Sequence, residues 1–208
     1  MNQSSAAQVI RQDDIVRPSG EAAGRRFQHI TGALPDWRHA DELVAHWCEM
    51  AGDLPAPRRR DLRPEALRRS LPYLVIFDYT DRDTITFRLA GTSFWEHHEG
   101  ELTGRNFLDL QEDGSREAAS RRLFGMLEHP CGIASVNSTL FESGQCGRYL
   151  IVALPLLDDD GQVAHSIHVT QYDGQIHLPS HGRLRSMGVE HARYIDIGFG
   201  IPAVSAPY

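Results

Sequence analysis

The sequence predicts an α+β fold: a five-stranded antiparallel sheet, short helices and one longer helix, and a further helix N-terminal to them. Three observations carry this. Residues 73–90 read as two strand-like runs, YLVIFDYT and TITFRLA, separated by the polar triplet DRD, which is a β-hairpin pattern. Short polar-apolar pieces broken at Gly100 and Gly104 follow, and then a segment with helical spacing from Gly114 to His129. Last come three strand runs, IASVNSTLF, RYLIVALPLL and QVAHSIHVTQY, joined by ESGQCG and DDDG. Hairpin links of this kind make neighbouring strands antiparallel.

In chain order, residues 1–35 are rich in Ser, Ala, Gln, Gly and Arg without a sustained period, and are expected to be a flexible arm. The domain is expected to span 36–172. Its first helix opens with Asp36 as N-cap, carries Trp37, Ala40, Leu43, Val44, Trp47 and Ala51 at helical spacing, and stops at Gly52. Between Pro57 and Ser70 stand Arg58, Arg59, Arg60, Arg63, Arg68 and Arg69, read as a solvated connector, with Pro64 opening a short helix. In the helix from Gly114, Ala118, Ala119, Leu123, Met126 and Leu127 share one side, and Arg116, Glu117, Arg121 and Arg122 are assigned to water. Residues 173–208 form a C-terminal extension in which RYIDIGFG (193–200) adds a strand or lies along the body.

Composition excludes several classes of function. At 41% hydrophobic and 24% charged residues the chain can bury a core. No run approaches the roughly 20 apolar residues that span a bilayer, and Asp13 and Asp14 interrupt any signal-peptide core. A cytoplasmic location without membrane contact is therefore expected. All 21 Lys/Arg positions are arginine, so neither a Schiff-base lysine nor a P-loop lysine exists. The net charge of -7 disfavours nucleic acid as a partner. Cys48, Cys131 and Cys146 form no CxxC pair, and no HxxxH or Cys/His spacing suggests a metal site.

The stretches LPAPRRRDLRPEAL, LPYLVIFD, FRLAGT, LTGRNFLDL and ALPLLDDDGQV together resemble a PAS domain, and more narrowly a bacterial family of stand-alone PAS proteins. The resemblance covers about Trp37 to Tyr172. It implies a cavity between sheet and helices, and a sensory or regulatory role in signal transduction rather than catalysis. The implied partners are a small-molecule ligand, a signalling protein, or both. TGRNFLDLQ is also similar to the flavin-holding bend of light-sensing PAS domains. There the photochemistry uses a cysteine directly after Gly-Arg-Asn, and here Phe107 occupies that place, so thiol adduct chemistry is unavailable.

The cofactor reading is accordingly none, with haem or flavin as the departures from it. A haem-binding sensor, or a small enzyme using a histidine acid-base in the same cavity, are the alternative functions. Pocket candidates are Phe87 and Arg88 on the second strand, Trp95 and His97 after it, and Asn106 and Phe107 at the bend. On the last strand Val163, His165, Ile167 and Val169 share the more apolar face, so His165 and Ile167 are expected to point into the cavity. The stripe of Trp37, Leu43, Val44 and Trp47 is expected to bridge the chain's own sheet and a second copy, giving a homodimer.

Overall fold

Two helices, α1 (Glu21–Gly32) and α2 (Arg38–Ala51), stack on one face of a sheet in the computed structural model, which describes residues 17–34, 37–95, 102–112, 114–172 and 184–203. The sheet contains β1 (Leu74–Asp81), β2 (Thr84–Ala90), β3 (Gly132–Phe141), β4 (Cys146–Leu157), β5 (Val163–Tyr172) and β6 (Leu184–Ile195). Their spatial order is β2-β1-β5-β4-β3-β6, and every pairing is antiparallel. The five expected strands are present. The sixth lies in the C-terminal extension, where it begins nine residues before RYIDIGFG and pairs along the whole of β3.

Both faces of the sheet are covered, because both carry apolar side chains. On the outer face Leu74, Ala134, Val152, Leu154, Ile167 and Val169 pack under α2. On the inner face Val75, Phe77, Ile133 and Ala153 meet Leu123 and Met126 of α4 (Arg116–Glu128) and Leu108 of a 3₁₀ turn, Phe107–Leu110. A short helix, α3 (Thr92–Trp95), precedes that turn. A strand clothed on both sides loses the apolar-in, polar-out contrast that marks a half-exposed sheet.

Three expectations are corrected here. The arm assigned to residues 1–35 contains α1, three turns long, with Ala23 and Ile30 buried and Phe27 packed against the core. Gly24 weakens the helical pattern in isolation, and a helix this short persists by docking on α2. The N-cap assigned to Asp36 lies outside the described residues, and Trp37 occupies the cap position. Lastly, Trp37, Leu43, Val44 and Trp47, expected to reach a second copy, are 6%, 0%, 0% and 0% exposed within one copy. α1 covers the side of α2 that was left over for a partner.

Trp47 is anchored by more than apolar contact. Its indole N–H donates to the carbonyl of Pro155 at 2.9 Å in the buried core. Pairing of β4 with β3 runs no further than Ala153 opposite Ile133 in that direction. Pro155 therefore stands where a missing ladder N–H is tolerated, and its carbonyl is free for the indole.

The stretch 104–112 ties the two edges of the sheet together. At the β2 edge the Gly104 N–H donates to Phe87 O (2.7 Å) and the Phe87 N–H to Arg105 O (3.0 Å). At the β6 edge the Glu112 N–H donates to Met187 O (3.0 Å). Gly104 has φ +82°, a conformation that a residue with a side chain rarely adopts, which lets the chain turn into this crossing. Gly91 serves differently: a Cβ there would sit 2.3 Å from the carbonyl oxygen of Pro72, so the end of β2 packs directly on backbone.

Candidate functional site

A cavity of about 50 Å³ lies between the inner sheet face, α4 and the Phe107–Leu110 turn. That is room for about three to five waters, at ~10–15 Å³ of water-centre space each. One side is aromatic. Phe77 meets Phe87 at 5.0 Å between ring centroids and Phe107 at 4.8 Å, all tilted or edge-on. Asn106 fixes this wall without lining it. Its Oδ1 accepts from the Ile85 and Leu108 N–H groups, both at 3.1 Å, and its Nδ2 donates to Asp83 O at 2.7 Å. One side chain thus locks the start of the 3₁₀ turn to β2 and sets where Phe107 points.

The other side is polar, and its groups converge from separate elements: Arg122 from α4, Ser135 and Asn137 from β3, His168 and Thr170 from β5. Asn137 Nδ2 donates to Ser135 Oγ at 2.9 Å, and the Thr170 hydroxyl donates to Tyr73 O at 3.3 Å. His168 and Ser166 Oγ share a hydrogen bond at 2.7 Å, and Ser166 Oγ shares another with the Tyr79 hydroxyl at 2.7 Å. The His168 ring also packs edge-on against Phe77 at 4.7 Å.

The charge states follow from burial. Desolvation, and then the field of Arg122, push His168 down to about 3, so its imidazole is neutral at physiological pH. Desolvation also lowers Arg122 to about 10, against which the Tyr194 and Tyr149 phenols act weakly in the other direction. Arg122 therefore remains a guanidinium while only 5% exposed. Burial likewise raises the Tyr79 hydroxyl, which stays protonated and available to Ser166.

The sequence candidates divide between this cavity and the rest of the molecule. Phe87 and Phe107 line it. Arg88 does not: it is exposed on the outer face and paired to Asp78 at 2.8 Å. His165 also lies on that face, with Nδ1 2.6 Å from the other oxygen of Asp78. Ile167 is 1% exposed in the core beneath α2. The facing of β5 is thus the reverse of the expectation. Its more apolar half is the one covered by the outer helices, and its polar half, Ser166, His168 and Thr170, faces the cavity. His97 and the side chain of Trp95 lie outside the described residues. The principal group missed is Arg122, assigned to water although Ala119, Arg122, Leu123 and Met126 fall on one helical stripe and all four are buried. That spacing was a readable signal.

A larger cleft, about 560 Å³, opens at the surface between α2, Ser19 and the 3₁₀ turn Pro64–Leu67. Its walls alternate Glu42, Glu49 and Glu65 with Arg63, Arg68 and Arg69. Much of this is already satisfied: Ser19 Oγ donates to Glu49 at 2.7 Å, and the Arg63 N–H donates to His46 Nε2 at 3.0 Å. It is a seam of mixed charge with no common direction.

Among the described residues, no three His, Cys, Asp or Glu side chains come together to hold a metal ion. Flavin or haem does not fit the cavity, whose volume is far below the ~300 Å³ at which pockets for ligands of that size begin. Phe77, Phe87 and Phe107 form one wall of it, and His168 Nε2 is engaged by Ser166.

Comparison with known proteins agrees with this architecture. The family model described as a PAS domain matches residues 37–168. No curated protein matches. Among solved structures, a light-oxygen-voltage domain is 19% identical, with a TM-score of 0.42 over 53% of this chain and 84% of that one. The PAS domain of a protein from Colwellia psychrerythraea is 11% identical, with a TM-score of 0.41 over 54% and 98% of the two chains. VqmA of Vibrio cholera, in a complex with ligand and DNA, is 15% identical, with a TM-score of 0.38 over 53% and 51%.

Proposed function

This chain belongs to the PAS domain family, and from that premise we propose that it is a sensory or regulatory module that works by binding a small molecule in the cavity between sheet and α4. The observation that carries the reading is the convergence of Arg122, Ser135, Asn137, His168 and Thr170 on an otherwise apolar cavity. A core serving stability alone gains nothing from five such groups, because each polar side chain taken from water costs free energy unless its bonds are remade. Few polar groups set in an aromatic wall is the usual composition of a ligand site. Output passes by contact to a signalling protein or a second copy of the chain, and not through a reaction in the cavity. The neutral His168 has no carboxylate partner among the described residues, in a relay that ends in the hydroxyls of Ser166 and Tyr79, a poor base for substrate chemistry.

Methyl-detected NMR on the full chain, titrated with a library of compounds of up to about eight heavy atoms, tests this. Binders are expected to shift Met187, Ile133 and Ile151 methyls, which line the cavity, before any signal from the outer core. A library that moves none of these three, or moves only outer-face signals, overturns the reading.

A further inference from the structure

The chemistry of the cavity also narrows what it takes. Among the described residues that line it, the one permanently charged side chain is Arg122, so the lining favours an anion over a cation. A guanidinium offers five N–H donors in a planar fork whose geometry matches a carboxylate. His168, whose Nε2 is shared with Ser166, adds no second charge beside the fork. Three phenylalanine rings also line the cavity, and they suit an alkyl chain. The volume of about 50 Å³ sets the size: space for three to five waters is space for an acid of about two to four carbons.

We propose that the cavity is a site for a short monocarboxylate, its carboxylate held by the Arg122 guanidinium and its alkyl chain lying against Phe77, Phe87 and Phe107. The proposal rests on the reading of the cavity as a ligand site and deepens it. Arg122 need not be idle before the ligand arrives, since a fork with five donors can keep other contacts while it accepts a carboxylate.

The test compares sodium propionate, propionamide and propylammonium chloride on the full chain at matched ionic strength, followed by thermal denaturation and by the Met187, Ile133 and Ile151 methyl signals. Propionate is expected to bind about tenfold or more tightly than propionamide, the margin of one charge-assisted contact, and propylammonium not at all. Arg122→Met is expected to bring propionate down to the level of propionamide, while Arg121→Met, at an exposed position one residue away, leaves the ranking intact. If Arg122→Met does not fold, the wild-type ranking decides alone. Phe107→Leu then supplies a second variant, expected to move the preference toward acids one or two carbons longer. Propionamide binding as well as propionate, or Arg121→Met abolishing the ranking, overturns the carboxylate assignment and leaves the ligand-site reading standing. Failure of every compound of the wider library overturns both.

Discussion

The Tyr194 hydroxyl, on the last strand, donates to the backbone carbonyl of Arg122 on α4 at 3.2 Å. It reaches that carbonyl by passing over Gly125, where a Cβ would lie 2.3 Å from the Tyr194 oxygen. The helix carrying the cavity's cation is therefore latched to a strand that lies outside the region matched by the family.

Gly125→Ala is expected to break this latch and to destabilise the chain by ~1–3 kcal/mol, the cost of overpacking a filled site. Gly24→Ala is the matched control. A Cβ there meets nothing within 4 Å, so relief of the glycine penalty in α1 is expected to stabilise by up to ~1 kcal/mol. Urea denaturation of both variants checks the opposite signs.

Trp47→Phe removes the indole that serves the Pro155 carbonyl, and is expected to cost ~1–3 kcal/mol for the buried acceptor left behind. The same substitution is expected to leave the association state unchanged, because Trp47 is fully buried within one copy. Sedimentation alongside denaturation distinguishes this from an interface role, in which the assembly would dissociate with little loss of stability.

Stability is expected to fall as pH drops below about 6.5, and His168 is a main cause. Its folded pKa, near 3, lies below the unfolded value of 6.5. Between these values the unfolded chain binds a proton that the folded chain refuses, so stability rises with pH across that window and levels off above it. One such proton gives a slope of ~1.4 kcal/mol per pH unit. His39 and His46, also lowered by burial, add in the same direction. His168→Gln is expected to flatten the dependence between pH 6 and 4 by up to one proton, and an unchanged slope would place the effect elsewhere.

Asn106→Ala is expected to cost ~2–3 kcal/mol, since it strips the partner from the Ile85 and Leu108 N–H groups together. Hydrogen exchange at those two amides should accelerate more than at β4 amides, which keep their ladder on both sides.

Strand order within the hairpins was legible because Ile85 and Phe87, or Asp158 through Gly161, obey local rules that hold whatever packs above them. Asn106, expected in the pocket, instead spends its side chain on the Ile85, Leu108 and Asp83 backbone groups, as a short amide at a bend does. Facing was not legible. Alternation along β5 distinguishes Ile167 and Val169 from His168 and Thr170, but in a sheet covered on both sides it does not tell which half meets the cavity. That depended on α1, whose stripe of Ala23, Phe27 and Ile30 is too short and too interrupted by Gly24 to stand out before its docking site is known. The same helix consumed the surface of α2 that was expected to hold a second copy. Arg122 is different: its charge suggests water, while its place on the stripe of Ala119, Leu123 and Met126 points it inward.

The crossing stretch from Gly104 to Glu112 turns an open sheet into a hoop. Main-chain bonds run from β2 through all six strands to β6, and return to β2 through this segment. A hoop has a circumference, and anything that swells its interior loads every joint. The thinnest joint is the single main-chain bond at Met187, against a pair at Phe87, and one short segment makes both joints although their strands are far apart in sequence. Tension from a guest inside would reach both at once. The same closure denies an incoming strand the backbone groups it would need at these two places, so association of copies through them is blocked.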